Sequence, residues 1–126
     1  MLREAGLACV SELSLVTGRR VDLIAVDKAG VVTVVEVKSS VADFRADSKW
    51  HEYRDFCDHL YFAVPPELPQ HILPEDTGLI VADAFGAEIL RPAPQHKLSA
   101  ARRKAVLLRF ARAAALRLQD VYDPRL

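Results

Sequence analysis

Cysteine is scarce in this chain of 126 residues: Cys9 and Cys57 are the only two. They stand far apart, with no Cys-x-x-Cys spacing and no histidine placed as a companion ligand, which argues against a metal or redox role. Both are expected to be buried, reduced thiols acting as small hydrophobes. An excess of one charge is lacking too, since 17 Lys and Arg are balanced by 17 Asp and Glu. That argues against a protein held on nucleic acid by its overall charge and leaves only the distribution of charge to inspect. No apolar run approaches the length of a membrane span, and the start Met1-Leu-Arg-Glu-Ala-Gly lacks the parts of a signal peptide. A cytoplasmic protein with no membrane partner is expected. There is no glycine-rich phosphate loop, no Ser-His-Asp arrangement and no internal repeat, and His51, His59, His71 and His96 show no spacing suited to a metal or a relay.

What is present is an apolar half large enough for one core, and the length is that of a single domain, residues 1–126. Two runs rich in β-branched residues, Arg20 to Asp27 and Val31 to Ser40, flank the polar turn Lys28-Ala-Gly30 and read as an antiparallel hairpin. Three ionisable residues intrude into this apolar ladder: Asp22, Glu36 and Lys38. With the turn closing near positions 27 and 31, pairing runs outward at a constant index sum and sets Asp22 opposite Glu36, with Cβ atoms about 5 Å apart. Alternation sends Glu36 and Lys38 to one face and Val35 and Val37 to the other, the expected core face.

Two acids side by side in an apolar strand pair repel one another and lose hydration, so the arrangement calls for a cation between them. Hard oxygen ligands with open positions suit Mg2+ or Mn2+, which would polarise a phosphodiester and lower the pKa of a bound water. Lys38 would then orient that water or stabilise charge growing on the phosphate. The competing reading is a solvated hairpin face carrying an ordinary cross-strand ion pair.

An Asp on one strand followed by Glu-x-Lys on the next resembles the PD-(D/E)XK nuclease superfamily, with Asp22 and Glu36-Val-Lys38 at the matching positions. The continuation from Glu36 through Asp43, Asp47, Lys49-Trp50 and Tyr53 to Asp58, then Gly78 to Asp83 and Gly86 to Arg91, resembles the MmcB-like DNA repair proteins grouped within that superfamily. The similarity runs from about Gly6 to the C-terminus. It implies an α/β, restriction-endonuclease-like fold with an αβββαβ core, a central mixed sheet flanked by helices. It also implies a DNA repair role with Mg2+- or Mn2+-dependent hydrolysis of DNA by Asp22, Glu36 and Lys38. Since the superfamily contains members that keep the fold without cutting, a non-catalytic DNA-binding or repair-accessory module is the alternative.

Nucleases of this superfamily usually begin with a longer helix carrying a further acid, and here only the helix-compatible stretch from Leu2 to Ala8 stands in that place. Glu4 and Glu12 are the candidates for the acid, and Glu12, on the predicted strand Cys9 to Val16, is the nearer one and a third potential metal ligand. Ser40 can cap a helix running from Val41 to about Cys57, with Asp43 as its capping-box partner and Phe44, Trp50, Tyr53 and Phe56 as its inward stripe. Because that helix starts beside Lys38, its N-terminus favours phosphate. Asp43, Asp47 and Lys49 become supporting residues, Asp47 through a hydrogen bond and Lys49 through substrate phosphate.

Leu60 to Val64 reads as a buried strand parallel to the Glu36 strand across a right-handed crossover. Pro65, Pro66, Pro69 and Pro74 make a rigid loop, and Leu79 to Ala82 with Ala87 to Arg91 make a second hairpin turning at Asp83. From Lys97 to Gln119 there is no acid, and Arg102, Arg103, Lys104, Arg109, Arg112 and Arg117 punctuate a basic C-terminal helix capped by Ser99. Val106, Leu107, Phe110, Ala114 and Leu118 form its predicted inward stripe. The cationic face points to DNA phosphates, to acids elsewhere on the protein, or to an acidic partner. DNA, other DNA repair proteins and a second copy are the expected partners.

Overall fold

In the computed structural model, which describes residues 6–123, the β-branched hairpin forms β2 (Arg20–Val26) and β3 (Val32–Val37), preceded by β1 (Ala8–Ser14). Gly30, at φ 82°, lets the chain reverse where an L side chain would be strained. Asp27 locks the reversal: its amide donates to Val31 O (3.2 Å) and its Oδ1 accepts from the amides of Ala29 (2.8 Å) and Val31 (2.9 Å). The register follows the expected index sum, with Leu23 opposite Val35 and Val26 opposite Val32.

The sheet adds β4 (His59–Val64), β5 (Gly78–Asp83) and β6 (Gly86–Arg91), and all six strands lie in chain order. β3, β4 and β5 are parallel, and the pairs β1–β2, β2–β3 and β5–β6 are antiparallel. The expected parallel crossover is thus present. It carries α1 (Val41–Ala46) and a 3-10 helix, Trp50–Phe56. The Pro-rich loop holds one further 3-10 turn, Gln70–Ile72. α2 (Ala100–Tyr122) closes the fold, its first turn capped by Ser99 Oγ, which accepts from the Arg102 amide.

Helices pack on one face of the sheet. Val10, Ile24, Val34 and Leu60 meet Tyr53, Phe56, Leu98 and Val106 there, while Phe62, Val64, Leu68, Leu73 and Leu79 meet Phe44 and Trp50. The rings of Phe44 and Trp50 stand edge-on to Phe62, each with centroids 5.4 Å away. Each fully buried side chain of this size contributes roughly 1.5–3 kcal/mol relative to exposure. On the opposite face of the sheet Gly78 leaves room for its neighbours, since a Cβ there would run into the Tyr61 ring and Ala93.

Several expectations change. The crossover is not one helix from Val41 to Cys57: the chain leaves α1 at Asp47, whose Oδ1 accepts from the Lys49 amide (2.9 Å), a local turn that competes with helical bonding. The face of Glu36 and Lys38 is the one the helices cover, with Val32, Val34, Glu36 and Lys38 all buried, while on the other face Val35 is buried as expected and Val37 is 56% exposed. Alternation assigns residues to faces but cannot say which face the helices choose in a central strand. Cys9 is exposed and only Cys57 is buried. Leu118, expected inward, is exposed. The opening helix of Leu2 to Ala8 and its Glu4 lie outside the described residues for positions 2–5, and Ala8 already belongs to β1.

The two edges of the sheet differ. On β1, Glu12 adopts φ 52° and drops out of the ladder with β2, and Arg117 and Arg109 donate to the carbonyls of Glu12 and Ser14 (both 3.4 Å). β6 has no such guard among the described residues: Ile89 and Leu90 are each 46% exposed, and Phe85 at its turn is 98% exposed. No helix among the described residues is long and apolar enough to cross a membrane.

Asp58, fully buried, joins the layers. Its Oδ2 accepts from the Val32 amide (2.8 Å) and Arg103 Nη1 (2.6 Å), and its Oδ1 accepts from the Leu98 amide (2.9 Å) and Arg103 Nη2 (2.7 Å). Its backbone exchanges bonds with Val32 O (2.8 Å) and the His96 amide (2.7 Å). The Arg103 guanidinium, aided by the two amides, holds the carboxyl well below the ordinary carboxylate range against the opposing effect of burial. A depressed folded value means stability that is present above the ordinary 3.8 and lost as pH falls toward the folded one. Asp58→Ala is expected to lower the unfolding free energy by roughly 3–5 kcal/mol by urea titration, because it strands Arg103. Adding Arg103→Ala is expected to lose less than the sum of the single changes, and the acid limb of the stability profile below pH 3.8 should flatten in both variants.

Candidate functional site

The β2–β3 ladder stops being a backbone ladder one step beyond the Leu23–Val35 pair, and there the two acids take over. The Asp22 amide donates to Glu36 Oε2 (2.9 Å), and the Val37 amide donates to Asp22 Oδ2 (2.8 Å). Each carboxylate satisfies an amide of the opposite strand, so the pair is held together by crossed bonds. Asp22 Oδ1 and Glu36 Oε1 take no part in them. β3 continues past the acids through the Lys38 amide, which donates to Ala63 O on β4 (3.0 Å).

Glu36 is 3% exposed and lies beside Phe62 in the β3–β4 register, against the cluster that includes Phe44 and Trp50. Burial in these surroundings pushes its carboxyl up to about 7 from 4.5. The Asp22 amide and the Lys38 ammonium work against that rise, and the negative charges of Asp22 and Asp47 add to it. A carboxyl that exchanges its proton near neutrality, next to a second acid, is the arrangement a divalent cation would relieve.

Lys38 is also buried, and its Nζ lies 2.7 Å from Asp47 Oδ2. Burial works to raise the Asp47 carboxyl, but the bond from Lys38, with the amides of Lys49 and Trp50, holds it below the ordinary value. Asp47 thus fixes the lysine head at the end of β3, so the turn that breaks the crossover helix is also what orients Lys38. Tyr53 closes the site from the 3-10 helix. Burial and then the charges of Glu36 and Asp47 push its hydroxyl up to about 12.

The other sequence-predicted residues divide. Ser40 caps α1, its Oγ accepting from the Asp43 amide (3.0 Å), and Asp43 Oδ2 reaches back to accept from the Ser39 amide (2.9 Å) and hydroxyl (3.3 Å). This capping box occupies the helix start that had been expected to receive phosphate, and α1 has only six residues. Lys49 is exposed on the turn after Asp47. Glu12 does not join the pair: its left-handed backbone takes it out of the β1–β2 register into the groove beside α2, and no cluster of three His, Cys, Asp or Glu fit for a metal exists among the described residues. The metal-binding potential therefore rests on two carboxylates, a donor set that suits Mg2+ or Mn2+, which keep waters and take further oxygens from phosphate.

The basic helix is less free than its sequence implies. Arg103 is engaged by Asp58 and Gly30 O, so it is a structural partner rather than a phosphate contact. Arg102 donates to Asp55 O (3.2 Å) and lies 4.7 Å over the Phe56 ring. Arg109 and Arg117 turn back to β1, Arg117 also reaching Ser11 Oγ (3.5 Å). Lys104 and Arg112 are exposed without a side-chain bond among the described residues. Sequence reading missed Asp58 as the buried anchor and placed Tyr53 in the core without its neighbouring acids. An isolated Asp directly before the apolar run of β4 was the available signal for the first.

Among solved structures, a protein of unknown function from Silicibacter pomeroyi superposes with a TM-score of 0.92 at 46% sequence identity, covering 98% of this chain and 84% of that one. No curated protein sequence matches. The six-stranded mixed sheet with its helices is consistent with a restriction-endonuclease-like core. Residues 1–125 match the family described as DNA repair protein MmcB-like, and the chain belongs to that family.

Proposed function

We propose that the protein hydrolyses phosphodiester bonds of DNA in repair, with Mg2+ or Mn2+ held by Asp22 and Glu36. The observation that carries this reading is the crossed pair of carboxylates with Lys38 beyond it on the same strand, and a Glu36 carboxyl raised to about 7. When bound, the ion would supply Lewis-acid polarisation of the phosphodiester and an activated water at neutral pH. The protein's own residues do the rest. Glu36 and Asp22 would hold the cation, Glu36 releasing its proton to solvent as the ion takes its place, while Asp22 ties β2 to β3 and Lys38, aimed by Asp47, meets the negative charge that grows on the phosphate. Lys49, exposed on the turn after Asp47, would contact the neighbouring phosphate.

One feature favours a second reading, a repair-accessory module that binds without cutting: Lys38 is closed into an ion pair and Glu36 is almost fully covered. The two readings separate on cleavage. Wild-type protein with Mn2+ or Mg2+ is expected to nick DNA, and both Asp22→Ala and Lys38→Ala are expected to lose at least about a hundredfold in rate. Cleavage that survives both changes removes the catalytic assignment, while metal binding without cleavage selects the accessory module.

Protonation gives an independent check. A carboxyl raised in the folded state stabilises below its ordinary value of 4.5, and that contribution disappears as pH rises through about 7. Thermal melts should therefore show stability declining across pH 4.5 to 7, and Glu36→Gln should flatten that decline and be more stable than wild type above it, by up to roughly 3 kcal/mol. Added Mn2+ should restore wild-type stability increasingly as pH rises through 7, because ion and proton compete for one carboxyl. Asp22→Asn is expected to abolish the Mn2+ response.

A further inference from the structure

We propose that the groove between β1 and α2 is a docking site for an acidic amphipathic helix of another protein. The groove measures about 810 Å3 and is bounded by Glu12 to Val16 on one side and by one face of α2 on the other. α2 contributes lining residues from Arg102 to Arg117 at spacings of three and four, so they form a continuous stripe. The stripe has two chemistries. Leu108 is 59% exposed and Leu116 50%, and Val16 across the groove is 69% exposed above buried Leu13 and Leu15. Arg102, Arg109, Arg112 and Arg117 stand among these apolar groups, and Glu12 is the only acid among the described residues of the lining.

An apolar floor with an arginine rim matches a helix that carries a leucine-type stripe flanked by carboxylates. Nucleic acid fits it less well. Phosphates need the cations but not the exposed leucines, and bases would need an exposed ring, whereas the one aromatic residue in the lining, Phe56, is buried beneath Arg102. The arginines are also preordered for a partner. Arg109 makes one long bond (3.4 Å) and Arg117 two (3.4 and 3.5 Å) to β1, which hold the guanidinium groups at the rim while most of their five N–H donors stay available. The site is separate from Asp22 and Glu36, neither of which lines it, so its occupancy and the catalytic reading stand or fall independently.

The test is fluorescence anisotropy of the whole protein with a labelled helical peptide bearing Leu at i, i+3, i+4 and i+7 between Glu residues, beside a scrambled peptide of the same composition. Saturable binding is expected for the first and not for the second, weakening with salt. Arg109→Glu with Arg112→Glu is expected to weaken it at least about tenfold, and Leu108→Asn with Leu116→Asn by about tenfold as well. Retention of the Tm and of the far-ultraviolet circular dichroism spectrum would show that both variants fold. Equal binding of the scrambled peptide, insensitivity to the leucine changes, or absence of binding overturns the proposal. So does displacement by an oligonucleotide at lower concentration than by unlabelled peptide, which would make the face a nucleic-acid surface. Self-association lost in the leucine variants would assign the groove to a second copy.

Discussion

The fold depends on a single buried carboxylate. Asp58 sits where β4 begins and reaches three separate segments: the start of β3, the chain entering α2, and α2 itself through Arg103. A charge taken wholly out of water is tolerated only when its oxygens are filled, and here each oxygen accepts one amide and one guanidinium bond. The same group therefore ties the start of β4 to the start of β3 and docks the long helix. Removing Arg103 from the cationic face of α2 is the chemical corollary, because a guanidinium committed to the interior cannot also meet a partner.

From that anchor the sheet runs to a second polar junction at the opposite end of β3. There the backbone ladder gives way to crossed bonds between Asp22 and Glu36, and the helices of the crossover lie over the pair. Two buried polar groups at the ends of one strand behave oppositely with pH. The lower one, stripped of protons by Arg103, favours the folded state in neutral solution, and the upper one, raised by burial, favours it in mild acid. The strand is thus most strained at its site end under the conditions in which a cation could bind there. Carboxyls perturbed against stability in this way are more frequent at functional sites, in keeping with the role proposed for the pair.

The hairpin, its register and the meeting of Asp22 with Glu36 were legible because a period of two and a tight turn leave little freedom once residues 27–31 are placed. The parallel crossover was legible for the same kind of reason, the length of chain between two apolar runs. What sequence patterns could not supply was which face of β3 the helices would cover, since central strands are apolar on both sides. Helical periodicity also overran the break at Asp47, where a side chain competes with the backbone, and it counted arginines on α2 without seeing that Arg103 is committed to buried Asp58. Left-handed Glu12 is a further case: an ordinary glutamate in an alternating strand carries no mark of the conformation that sends it away from Asp22.

That left-handed residue has a consequence for assembly. With Glu12 out of the ladder and two guanidinium groups on neighbouring carbonyls, the β1 margin offers a poor template for an incoming strand, whereas β6, although its pairing with β5 shifts register between Leu79 and Ile80, keeps the more open margin with exposed apolar side chains. A sheet able to extend from one margin only cannot propagate end to end. Strand addition between identical molecules would join β6 to β6 about a two-fold axis and stop at a pair, so the polymer that a double-edged sheet risks is closed off by geometry.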